Sequence, residues 1–136
     1  MDKGYSKECW ISLILRLSMV TLFGVAAAGK FMGGLDAVVT HITEMFKDSW
    51  LPVPLVAFYA RILPWAETVI AVWLFLGVRL KEAWIFTALV LVSLAFGMVV
   101  ARQATAADNY FYVLMACIGL YFSSYDKCNI NNWKKK

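Results

Sequence analysis

LPVPLVAFYARILPWAETVIAVWLFLGVRL, residues Leu51–Leu80, decides the fold. From Leu55 to Val78 its only charged residues are Arg61 and Glu67. A helix rises about 1.5 Å per residue, so about 20 apolar residues cross a hydrocarbon core of about 30 Å. This stretch is long enough. A charge at mid-bilayer costs about 2.5–3.5 kcal/mol on insertion scales, so both charges should face a protein interior and find partners there.

The rest of the chain agrees with a lipid solvent. Of its 136 residues 62% are hydrophobic and only 16% charged, and the mean hydropathy is +0.68. Soluble domains run about 45–50% apolar and about 25% charged. Aromatic residues make up 15%, among them six Trp and six Tyr, which suits rings at headgroup level. The length suits one domain over residues 1–136. The net charge of +4 points to positive-inside asymmetry ahead of nucleic-acid binding.

Four stretches read as spans, at about 10–29, 53–78, 83–101 and 109–125. Each must be helical, because an isolated strand in lipid leaves backbone groups unsatisfied. Between the first two lies a half-apolar piece. Leu35, Val38, Val39, Ile42, Met45 and Phe46 recur at three-to-four spacing, with Asp36, His41, Glu44 and Lys47 on other faces. That pattern predicts an amphipathic helix at about 35–48, lying in the interface. The expected fold is therefore an all-α membrane protein: four transmembrane helices in an antiparallel bundle plus one interfacial helix. The first apolar run holds Arg16 and exceeds a signal-peptide core in length, so a cleaved signal peptide is not expected.

Loop charges set the orientation. Lys3, Lys7, Arg79, Lys81, Lys127 and Lys134–Lys136 fall on one side, against Lys30, Lys47 and Arg102 on the other. Both termini are thus expected in the cytoplasm, with the chain multi-pass in the inner (plasma) membrane.

Arg16 lies in the first span and Glu67 in the second. Counting residues from the cytoplasmic ends puts them within one or two turns in depth, and predicts that they meet. Arg61 lies nearer the outer surface, with Asp36, Glu44 or Asp108 in reach. The alternatives for these charges are a purely structural ion pair fixing helix register, or a polar pocket for a headgroup-sized or quinone-like molecule. For the pocket, the candidate residues are Arg16, Arg61, Trp65, Glu67 and Tyr112. Pro64 between the two charges removes a backbone donor and should kink the helix. Lys30 is read as snorkelling to the outer interface. In the last span Asn109, Tyr112, Ala116, Gly119, Ser123 and Asp126 share one stripe, which should face inward, leaving Phe111, Leu114, Ile118 and Phe122 outward.

Cys9, Cys117 and Cys128 form no CxxC and pair with no His at a metal-like spacing. Cys117 reads as a small buried thiol. His41, the single histidine, reads as a polar-face residue. The sequence contains no Gly-rich phosphate loop, no Ser/His/Asp set and no Cys/His nucleophile pair, and no metal site is expected.

These residues resemble the DoxX/DoxD-like family of small four-helix membrane proteins, to which the MauE proteins are related. The likeness lies in Arg16 followed by Phe23, Ala28, Gly29 and Lys30, in Leu51–Pro52 before the second span, in Glu67 followed by Leu76, Gly77 and Val78, and in a closing Ser124 and Asp126. The extended outer segment with His41 and the basic tail depart from that pattern. The resemblance implies an accessory subunit of a redox or electron-transfer membrane complex, with other membrane subunits and lipids as partners. Quinone is its candidate ligand, and it does not establish catalysis. No covalently bound cofactor and no catalytic activity alone are expected, and an enzymatic role would be that of a quinone-linked oxidoreductase subunit. The alternatives are a quinone-reducing subunit of a thiosulfate:quinone oxidoreductase-like enzyme and a small solute or proton transporter. The absence of internal repeats weakens the transporter.

Overall fold

A computed structural model describes residues 6–104 and 106–127 of the chain. Within them it is all-helical: α1 (Lys7–Gly33), α2 (Leu35–Met45), α3 (Val53–Leu76), α4 (Leu80–Val100), α5 (Ala106–Phe122) and a closing 3-10 turn (Ser123–Tyr125). Cys128, Lys3 and the basic tail from Lys134 lie outside the described residues.

Local chemistry sets the boundaries. Ser6 caps α1 by accepting from the Cys9 amide at 3.4 Å, which satisfies one of the free amides of the first turn. Gly34, at φ 90°, breaks the chain between α1 and α2 in a conformation that residues with a Cβ rarely adopt. Pro52 precedes α3 and Pro54 sits in its first turn, where its missing amide costs nothing. Gly77 ends α3 in the left-handed region at φ 67°, with its amide donating to Trp73 O at 3.1 Å. The Trp73 indole then donates to Val78 O at 2.7 Å and ties down the turn into α4.

Helices α1, α3 and α4 are long and apolar enough to cross a bilayer. The chain is a multi-pass membrane protein. Helix α5 has 17 residues, about 25 Å of rise, and falls short of that length, so helix length supports three spans where the sequence suggested four. A helix is present where the interfacial helix was expected, but it ends at Met45, and no residue of α2 is buried.

The core is a stripe from each long helix. Met19 and Phe23 of α1 meet Ile70, Ala71 and Leu74 of α3, with Trp84 and Leu91 of α4 and Ala116 of α5 completing the cluster. Helix α1 packs on α3, and α4 on α5, more extensively than α3 packs on α4. Lipid supplies no hydrophobic drive between helices, so close fit must hold them. Gly119 shows how close: a Cβ there would lie 2.5 Å from two carbons of the Trp84 ring.

The inward stripe of α5 is largely as expected. Ala116, Gly119 and Asp126 are buried, and Phe111, Leu114 and Ile118 are exposed. Phe122 is half-buried, with its ring edge-on to Tyr121 and tilted against Tyr125. Cys117 is exposed and not a buried thiol. It shares the outward side of α5 with Leu114 and Tyr121, which lie one turn either way along the helix.

Candidate functional site

Three charged residues are buried among the described residues, Arg16, Glu67 and Asp126. Arg16 and Glu67 do not meet. Arg16 Nη1 donates to Asp126 Oδ2 at 2.9 Å, and the Ser12 hydroxyl donates to the same oxygen at 3.2 Å. Lys30 Nζ donates to Glu67 Oε1.

Helix stagger explains the exchange of partners. Gly24 faces Ala71, Lys30 faces Glu67, and the rings of Phe31 and Trp65 pack edge-on at 5.0 Å. Each step along α1 is thus matched by a step back along α3. Arg16 lies fourteen residues before Lys30, about 21 Å along the axis. Its level falls past the end of α3, where the segment after α5 brings Asp126. Counting from the helix ends assumed that the ends align, and they do not.

Lys30 does not snorkel outward. It bends to Glu67, and its side chain is 26% exposed. Glu67 is 3% exposed, and its Oε2 has no hydrogen-bond partner among the described residues. Arg61 reaches Asp36 at 3.3 Å, as one of its three expected partners, but both side chains are exposed. Helix α3 continues through Pro64, where the Thr68 hydroxyl donates to the Pro64 carbonyl at 2.8 Å.

The five residues suggested for a polar pocket are dispersed. Arg16 is at the Asp126 end and Arg61 is on the surface. Trp65 is 57% exposed and packs on Phe31. Glu67 is buried against Lys30, and Tyr112 is half-buried against the core. A pocket does exist, at the end of the bundle that carries α2, with a volume of about 390 Å³. None of the five lines it. Phe46 closes it from the α2 side, Leu55 and Leu63 line it from α3, Phe96 and Met98 from α4, and Lys30 enters from α1.

Its polar atoms are few. The Tyr59 hydroxyl is 2.7 Å from Ser93 Oγ, and Ser93 Oγ donates to Val90 O at 2.7 Å. Glu67 lies one turn below Leu63 on the same face of α3. Ser93 and Gly97, one turn apart on α4, form one wall, and a Cβ on Gly97 would lie 3.3 Å from the Phe46 ring. Sequence reasoning missed Lys30, Tyr59 and Ser93 as pocket residues. The available signal was the stripe Val56, Tyr59, Leu63 and Glu67, which leads from the α2 end of α3 to its buried carboxylate.

Among the described residues no group of His, Cys, Asp and Glu side chains is placed to hold a metal ion. The family model described as methylamine utilisation protein MauE matches residues 8–109. No curated protein and no solved structure matches the chain.

Proposed function

Because the chain belongs to the MauE family of membrane proteins, we propose that it is an integral-membrane accessory protein of a redox system, of the amine-oxidising kind that the family name denotes. The observation that carries this reading is the pairing of the buried charges. Arg16 is held by Asp126 and Glu67 by Lys30, each bond joining separate segments of the bundle. Charges used this way fix helix register, a scaffold's task. The faces left outward are rich in large rings, with Trp10, Phe58, Trp65, Phe75, Phe111 and Tyr121 all exposed. Such faces suit partner helices as well as lipid.

In the finer reading, four helices cross the inner membrane with both termini in the cytoplasm. Asp126 beside Ser12 and Arg16 supports this, since it returns the end of α5 to the N-terminal half of α1. The protein also contributes a pocket for a quinone or lipid, a reading supported by the apolar cavity beside Lys30. A quinone-reducing subunit is the second reading, favoured by the unpartnered Glu67 Oε2 one turn from that cavity.

The test is purification of tagged protein in mild detergent, followed by mass spectrometry of co-migrating chains and a quinone-reduction assay with candidate donors. A co-migrating redox enzyme without turnover by the isolated chain supports the accessory role. Turnover by the isolated chain supports the second reading. A chain that migrates alone and is inactive overturns both.

A further inference from the structure

The cavity between α3 and α4 has a chemistry more specific than its apolar wall suggests. A hydroxyl has one proton to give. Ser93 gives its proton to Val90 O, so in the Tyr59–Ser93 bond the donor is Tyr59. Both hydroxyls are then spent as donors. Lys30 carries three N–H groups and directs one to Glu67, so its remaining two are the strong donors left on the wall. A guest that presents an acceptor such as a carbonyl oxygen therefore finds its donor at Lys30.

Charge narrows the class further. Lys30 and Glu67 cancel, and the remaining lining is almost wholly apolar. An anionic guest would meet the Glu67 carboxylate together with Lys30, so the pair offers it no net charge against the water it loses. The volume of about 390 Å³ lies in the range of small-molecule sites. Leu55 and Phe96, both lining the cavity and both exposed, place its mouth on the apolar surface.

We propose that this cavity binds one uncharged amphiphile drawn from the bilayer, its hydrocarbon chain between α3 and α4 and a carbonyl oxygen accepting a hydrogen bond from Lys30. Neutral glycerides and isoprenoid quinones share that chemistry. The inference rests on the lipophilic-ligand half of the function proposed above, and labelling of the isolated chain tests it whether or not a redox partner is found.

The experiment is photo-crosslinking of the purified full-length protein in detergent with a monoacylglycerol that carries a diazirine in its chain, mapped by mass spectrometry. Crosslinks should concentrate in residues 55–63 and 93–98 and fall at least tenfold in Leu55→Trp, which blocks the mouth from an exposed position. A diazirine fatty acid, ionised at pH 8, should label at least tenfold less. Excess monoolein and excess ubiquinone-2 are the competitors. Competition by either supports the site, and the stronger one names the source. Lys30→Met/Glu67→Met, which removes both charges together, should lose most of the labelling, while Tyr59→Phe should keep it within twofold. Labelling spread evenly onto Phe111, Leu114 and Ile118, or insensitive to Leu55→Trp and to both competitors, overturns the site. Equal labelling by the fatty acid, or full labelling of the double variant, overturns the neutral-head assignment.

Discussion

Lys30 and Glu67 form an ion pair that bolts α1 to α3, and it is the cation, not the carboxylate, that retains some contact with the outside. Removing one partner of a buried pair leaves an uncompensated charge, at a cost of about 3–5 kcal/mol. Lys30→Met should therefore lower stability by about that amount. Lys30→Met/Glu67→Met should recover most of it, because apolar replacements restore packing without a stranded charge. The midpoint of a denaturing-detergent titration measures both. A double variant no more stable than the single would show that the pair does not link the two positions.

The second pair holds the far end. Asp126 accepts from both Arg16 and Ser12, so the residues after α5 are anchored on α1. Asp126→Ala should release that segment, and trypsin should cut at Lys127 at least several-fold faster than in the parent. Ser12→Ala removes one hydrogen bond to a charged group and should cost about 1.5–3 kcal/mol, less than the loss of Asp126 itself. Equal digestion rates in Asp126→Ala and parent would show that other contacts hold the segment.

An exposed pair should behave differently. Arg61 and Asp36 meet at 3.3 Å with both side chains in the open. Surface pairs contribute about 0–1 kcal/mol. Asp36→Asn should leave the denaturation midpoint close to the parent's, and a large drop would show that the pair acts in a less polar setting than its exposure implies.

Much of the fold was legible because it rests on periodicity. The interior face of α5 and the amphipathic α2 follow from spacing within one segment. The partners of the charges were not legible, because they depend on register between segments. Arg16 and Glu67 each sit where burial was expected, yet the stagger of α1 against α3 gives each a different partner. The pocket was hidden for a related reason. Tyr59 and Ser93 are unremarkable within their own helices, and only the meeting of α3 with α4 joins them into one wall.

Gly119 and Trp84 share one volume in the α4–α5 seam. Gly119→Ala forces the indole or the helix to move, and overpacking of this kind costs about 1–3 kcal/mol. Trp84 Nε1 has no hydrogen-bond partner among the described residues, so Trp84→Phe sacrifices no such bond. Gly119→Ala/Trp84→Phe should accordingly be more stable than Gly119→Ala alone, as read from thermal melts in detergent. An additive loss would mean that the clash is relieved elsewhere.

The last prediction concerns the number of crossings. Helix α5 is only about 25 Å long, yet Gly119 near its end lies against Trp84 near the start of α4, and Asp126 reaches α1. A helix that returns this far should carry the chain back across the membrane, with the 3-10 turn and Asp126 completing the span. In a background with Cys9, Cys117 and Cys128 replaced, an impermeant maleimide applied to intact cells should label His41→Cys. It should label Lys81→Cys and Lys127→Cys only after permeabilisation. Labelling of Lys127→Cys together with His41→Cys would leave α5 on the outer side and reduce the spans to three. Labelling of Lys81→Cys and Lys127→Cys without His41→Cys would invert the whole bundle relative to the orientation expected from its loop lysines and arginines.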